Sequence, residues 1–227
     1  MTEEKNICKY CSKEFRKASS LAAHMCEPKR RWQQENETGV RFGLTAYLRF
    51  YELTQGTSKD KNYATFVESP YYTAFVKFGQ YLVAIKAVNP TAYIDWIIKN
   101  NKKLDMWTKD SYYDEYLLHC LRTEHPQDAL ERALKEMEHW AEANSTTFNH
   151  FFLYGNPNRL CQLINNGRIS PWVLYNCESG VEFLGKLTPP QLEIIYTIID
   201  PSYWNRKLEV YADDTKWVKE VLAVAGL

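Results

Sequence analysis

Cys8, Cys11, His24 and Cys26 are the residues of this chain whose types and spacing specify a chemistry. Cys8 and Cys11, separated by Lys9 and Tyr10, sit on a tight knuckle that points both thiolates at one tetrahedral metal ion. His24 follows after twelve further residues, the distance a short helix needs to fold back over the knuckle. Phe15 and Leu21 fall between as a small apolar core for that helix. The pattern predicts one structural zinc ion, Zn2+. A reduced pair of cysteines near a disordered terminus would leave Phe15, Leu21 and His24 in register for no reason.

The fourth ligand is the open position, and Cys26 is the nearest candidate. Residues two apart on a regular α-helix point about 200° away from each other. Cys26 can therefore join His24 only if the helix ends or tightens between them. Pro28 supports such a break, because it disfavours helical geometry at Glu27.

Position for position, Cys8-x2-Cys11-x3-Phe15-x5-Leu21-x2-His24 resembles the Cys-Cys-His-His zinc finger family. The resemblance covers residues 8–26 and implies a β-hairpin, a helix and a structural zinc. The chain departs from the family at the second histidine, whose positions hold Pro28, Lys29 and Arg30, so the finger is a Cys-Cys-His-Cys variant if Cys26 completes it. A single amino-terminal finger, the run Lys29-Arg30-Arg31-Trp32 and a helical remainder also resemble uncharacterised zinc finger proteins of large tailed bacteriophages. That likeness is confined to the finger and its edge and assigns no activity.

From Lys9 to Arg31 there are seven Lys or Arg against Glu14 and Glu27, a local excess of five positive charges. Lys13, Arg16, Lys17, Lys29, Arg30 and Arg31 are the candidate contacts to nucleic-acid phosphates. Ala22 and Ala23 on the helix offer a base edge nothing but apolar contact with a thymine methyl. One finger buries too little surface to specify a long site, so its binding to nucleic acid is weak, non-specific or assisted. The alternative is that these charges only solvate a unit with little apolar surface.

The whole chain, 227 residues with 45% hydrophobic content and no formal net charge, has material for one substantial core besides the finger. Residues 1 to 45 hold nine basic and six acidic side chains, which leaves the remainder about three negative. Residues 1 to 7 are polar, which argues against a secretory signal, and no run approaches the ~20 apolar residues of a membrane span. The expectation is a cytoplasmic protein, in host cytoplasm if viral, with no membrane partner. Cys120, Cys161 and Cys177 lie apart among apolar neighbours and read as small buried hydrophobes. On an intracellular route the Asn-x-Thr sequences at Asn36 and Asn144 carry no modification.

The elements that must position the finger read as helices. Gln33 to Val40 is polar and reads as a linker or as an extension of the finger helix, which divides the chain into a finger with its basic edge (1–32), a linker (33–42) and an all-α, aromatic-rich domain (43–227). In that domain Leu44 to Leu53 recur at helical spacing and Gly56-Thr57-Ser58 closes the segment. Tyr63 to Val67 follows, Ser69-Pro70 interrupts, and Tyr71 to Val88 is apolar on most faces. Asn89-Pro90 is a start signal and Asn100-Asn101 a stop. Further helices are predicted over Ser111–Leu121, Pro126–Ala143, Thr147–Tyr154, Pro157–Asn165, Ser170–Asn176, Gly180–Leu187, Pro190–Ile199 and about Asp214–Val224. The fold class is mostly α, a small ββα-like finger followed by an all-α domain of eight to ten helices.

Catalytic patterns are missing. Glu136-x-x-His139 has the helical spacing of di-iron sites, but no second Glu-x-x-His accompanies it. There is no His-Glu-x-x-His, no Gly-x-Ser-x-Gly and no phosphate loop. His119 and Cys120 are adjacent and do not face each other on a helix. The aromatic residues admit three readings: stacking on single-stranded bases, anchors of a protein interface, or packing between short helices. The sequence thus points to a non-enzymatic adaptor or regulator with no small-molecule substrate. Its finger engages nucleic acid or a nucleic-acid-bound complex, and its helical body binds a protein. The alternative is a purely protein-binding assembly factor, possible for a virus, whose finger is a docking unit.

Overall fold

A computed structural model of the chain describes residues 6–56 and 60–227. Residues 1–5, and the Thr57-Ser58 part of the expected helix stop, lie outside the described residues. The chain divides into two compact units, the first ending at Tyr113 and the second running from Asp114 to Leu227.

The first unit starts with a hairpin of β1 (Asn6–Ile7) and β2 (Glu14–Phe15), paired antiparallel with Asn6 opposite Phe15 and Ile7 opposite Glu14. Two short helices follow, α1 (Ala18–Ala23) and α2 (Glu27–Gln33). Then come α3 (Thr38–Gln55), α4 (Tyr63–Glu68), α5 (Tyr72–Ala84) and α6 (Pro90–Lys99), a 3₁₀ turn over Leu104–Met106, and α7 (Asp110–Thr123), inside which the division falls. The starts follow from side chains that satisfy otherwise unpaired amides. Asn62 accepts from the Thr65 amide at 3.0 Å while Thr65 Oγ1 accepts from the Asn62 amide at 2.9 Å. Asn89 accepts from the Ala92 amide at 3.2 Å, and Pro90 fills the first position of α6. Gly56 ends α3 in the left-handed region, with φ of 74°.

The core of this unit is the crossing of α3 and α5. Gly39 and Gly43, which read as linker and boundary, lie inside α3 and face Gly79 of α5. A Cβ at Gly79 would collide with the Gly39 carbonyl oxygen and come within 2.6 Å of the Gly43 nitrogen. Glycine is there because two helix backbones touch. Around this contact the rings of Phe50, Phe75 and Phe78 pack on Trp107 at 6.3, 5.8 and 5.0 Å between centroids, and Trp107 Nε1 donates to the Lys102 carbonyl at 2.8 Å.

The second unit contains α8 (Pro126–Ala143), a 3₁₀ turn at Phe148–His150 that runs into α9 (Phe151–Tyr154), α10 (Pro157–Asn165), α11 (Pro171–Leu174), α12 (Glu178–Gly185), α13 (Pro189–Tyr196), α14 (Pro201–Val210) and α15 (Ala212–Val224). From α3 onward the described residues thus form thirteen α-helices, more than the eight to ten expected. Twelve of them fall on segments that read as helical, the four-residue α9 and α11 included, and α14 is the one that does not. Asp200-Pro201 supplies its start, a cap and a first-turn proline: Asp200 accepts from the Ser202 amide at 2.9 Å. On α8 Ala129, Leu130, Ala133, Met137 and Trp140, which recur at helical spacing along one stripe, are buried, whereas Leu134 on the same stripe is only half-buried. Arg132 on the same helix holds Glu124 through both terminal guanidinium nitrogens, at 2.5 and 2.8 Å, and its Nε donates to the Gly167 carbonyl at 2.7 Å.

Most large rings are spent on packing. Trp107, Trp172 and Trp204 are buried, while Tyr71, Tyr154, Tyr196, Tyr211 and Trp217 are exposed. Two substitutions test these contacts. Gly79→Ala forces α3 and α5 apart and should cost about 1–3 kcal/mol or more of unfolding free energy in denaturant titration. Glu124→Gln leaves the Arg132 charge unpaired, with an expected loss of about 3–5 kcal/mol by the same measurement.

Candidate metal centre

The tight knuckle forms because Ser12 adopts φ of 56°, which lets the Cys8 carbonyl accept from the Ser12 amide at 2.8 Å and the Cys8 amide donate to the Lys13 carbonyl at 2.9 Å. Cys8 and Cys11 therefore project to one side. α1 returns over them and stops at Ala23, with His24 already extended at ψ of 126°. Cys26 is extended too, at φ −109° and ψ 162°, and is the cap from which α2 begins. The helix does end between His24 and Cys26. Pro28 acts differently from its expected part, because Glu27 is the first residue of α2 and Pro28 belongs to its opening turn.

The break brings the donor atoms of Cys8, Cys11, His24 and Cys26 within 4.8 Å of one another. Cys8 Sγ lies 3.9 Å from Cys26 Sγ, and Cys11 Sγ lies 3.3 Å from His24 Nε2. A tetrahedral ion with metal–sulfur bonds of about 2.3 Å has sulfur–sulfur edges of ~3.8 Å, so this donor set fits one metal ion. Among the described residues it is the one group of at least three His, Cys, Asp or Glu side chains placed to share an ion. The Phe15 ring packs 4.7 Å from the His24 ring and holds it in orientation.

The thiols are tuned by the knuckle itself. The Tyr10 amide, ahead of the Cys11 amide and neighbouring sulfurs, favours the Cys8 thiolate and holds its pKa below the ordinary cysteine value. At Cys11 the Lys13 amide acts in the same sense, but burial and the sulfurs of Cys26 and Cys8 outweigh it and push the pKa up. Away from the cluster, burial likewise raises the thiols of Cys120, Cys161 and Cys177, which suits packing rather than reactivity.

The six basic candidates separate into two sets. Lys13, Arg16 and Lys17 are exposed along the hairpin and the start of α1, with Lys13 Nζ 5.7 Å from the Phe15 ring centroid. Lys29, Arg30 and Arg31 make contacts inside the unit. Lys29 donates to the His24 carbonyl at 3.0 Å and Arg30 pairs with Glu27. Arg31 donates from Nε to Glu27 at 3.1 Å and from NH1 to the Val67 carbonyl at 2.7 Å, and its guanidinium lies 4.4 Å from the Tyr72 ring centroid. Tyr63 donates to the Arg31 carbonyl and meets Trp32 edge to face at 5.2 Å. α2 is thereby docked on α4. No local signal announces this, because the partners lie more than thirty residues away.

Compared with known proteins, the chain matches no family model, no curated protein and no solved structure. Among the described residues no helix is long and apolar enough to cross a membrane. The purified protein should carry one metal ion per chain, read by elemental analysis. Cys26→Ala should weaken retention by more than the about 10–100-fold that outer contacts cost. Affinity should fall as pH falls below neutrality, because each thiolate must lose its ligand role to take up a proton. Undiminished metal content in the Cys26 variant would remove that residue from the site.

Proposed function

We propose that the cluster holds one structural zinc ion and that the protein is a non-enzymatic cytoplasmic adaptor. Three thiolates and an imidazole favour a soft-tolerant tetrahedral ion, and four protein donors leave no open position for catalysis. In this reading the finger engages nucleic acid, or a complex already bound to it, and the helical body binds a protein. The carrying observation is the exposed row Lys13, Arg16 and Lys17 on a unit whose fold the metal would fix. Because Lys29 and Arg31 are turned to internal partners, the phosphate contacts fall to that row, with Arg30 at its rim.

A second reading has its own support. Ile7 and Met25 are 42% and 57% exposed on the finger, and α2 is bound to α4, which suits a finger that docks proteins in an assembly factor. Salt separates the two. On the adaptor reading, affinity of the full chain for DNA or RNA falls steeply with salt, and replacing Lys13, Arg16 and Lys17 with Gln lowers the log–log slope by about two to three. Binding that ignores salt, or a slope that the triple variant leaves unchanged, would overturn it in favour of the assembly factor.

A further inference from the structure

We infer that the nucleic acid taken by the finger is single-stranded, and that an unpaired base stacks on the ring of Tyr10 while Lys9, Lys13, Arg16 and Lys17 hold the phosphates beside it. The inference rests on the reading of the finger as a nucleic-acid module and names the form of strand that module accepts.

Two observations turn the finger away from a duplex. A helix that reads duplex sequence lies in the major groove and bonds base edges with paired donors and acceptors, chiefly from Arg, Lys, Asn and Gln. α1 has six residues, about 9 Å of helix, and it stops at Ala23 because His24 and Cys26 both reach the cluster. The break that completes the donor set therefore shortens the helix. Its exposed residues are Ala18, Ser19, Ser20, Ala22 and Ala23, with Arg16 and Lys17 ahead of its first turn. Two hydroxyls that bond any base are all the helix itself offers. The chain beyond the break does not extend the reading surface, since α2 is held on α4 through Arg31 and Tyr63.

The knuckle supplies what an unpaired strand needs. Phe15 and His24 pack on each other, whereas among the described residues Tyr10 packs on no other ring and keeps part of its surface exposed. Its ring meets Lys9, whose Nζ lies 4.9 Å from the centroid. Tyr10 stands in a turn closed by the Ser12 amide on the Cys8 carbonyl and by the Cys8 amide on the Lys13 carbonyl. The backbone that carries the ring is thus fixed before any strand arrives, which lowers the ordering cost of binding. Every base has a π-face, so stacking on an aromatic side chain needs no particular sequence. From Lys9 to Lys17 stand four exposed cations against one carboxylate, Glu14. The flexible stem of Lys9 lets its ammonium leave the ring for the phosphate of the base that stacks there.

The test uses the full chain at fixed ionic strength. Short oligothymidylate, short oligouridylate and a duplex of equal length are titrated separately, with fluorescence anisotropy and the Tyr10 ring-proton resonances as readouts. Both single strands should bind at least about fivefold tighter than the duplex, and the ring resonances should move upfield and saturate. Tyr10→Ala should weaken single-strand binding about 5- to 100-fold with metal content unchanged, while Tyr10→Phe keeps the affinity within about twofold. If Tyr10→Ala loses metal, the ring resonances of the unaltered chain decide. A duplex that binds as tightly as the single strands, a single-strand affinity that Tyr10→Ala leaves unchanged, or ring resonances that stay in place overturns the proposal; where binding still falls with salt, the nucleic-acid reading survives it. No binding to any of the three probes overturns both.

Discussion

The break in the helix between His24 and Cys26 is the constraint from which the rest of the first unit follows. A continuous helix would carry Cys26 about 200° away from His24. Extended backbone at both residues instead delivers two ligands to one point. The same turn of chain makes Cys26 the cap of α2, so the donor that completes the metal cluster also sets the direction in which Lys29, Arg30, Arg31 and Trp32 leave it. Lys29 ties the two ends together by donating to the His24 carbonyl. The site and the helix after it are therefore one piece of structure.

That piece is anchored by packing far away in sequence. α2 rests on α4 through Arg31 and Trp32, and α4 is held by Tyr47, Phe66 and Tyr72, whose rings stack between α3 and α5. α3 and α5 in turn approach closely because Gly39, Gly43 and Gly79 carry no side chains at the crossing. A structural metal in small finger peptides supplies about 10–16 kcal/mol, comparable to the 5–15 kcal/mol that holds an ordinary domain together. A metal ion held by this cluster would add a contribution of similar size through one short helix, and the two would couple, so that loosening the glycine crossing would be felt at the ligands.

The finger was legible because its chemistry is local: Cys8, Cys11, Phe15, Leu21 and His24 lie within one short stretch and their spacing encodes the geometry. Helix starts such as Asn89-Pro90 and the stripe of α8 were legible for the same reason, since caps and periodicity act over a few residues. What escaped depends on partners distant in sequence or on a residue with two opposite uses. Gly39 and Gly43 resemble linker glycines until Gly79 is seen against them. Asp200-Pro201 stops one helix and starts the next. Arg31 reads as a free cation until Val67 and Tyr72, both on distant elements, take it up.

The same limitation bears on charge. The sequence between Lys9 and Arg31 has five more positive than negative side chains, yet that sum treats every one as directed outward. A divalent ion on three thiolates and a neutral imidazole leaves the centre with one net negative charge, unlike the neutral pairing of two thiolates with two imidazoles. With such an ion bound, part of the basic excess would offset that charge, and Lys29 stands against the His24 carbonyl where it would do so. Arg30 and Arg31 share Glu27. The field that reaches solvent is then set mainly by Lys9 on the knuckle and by Lys13, Arg16 and Lys17 near the start of a six-residue helix whose first turn holds no acidic side chain. A patch of that size attracts phosphates at short range and falls away within a Debye length of about 8 Å at physiological salt. On the adaptor reading, attraction to nucleic acid beyond that distance would be left to a bound partner.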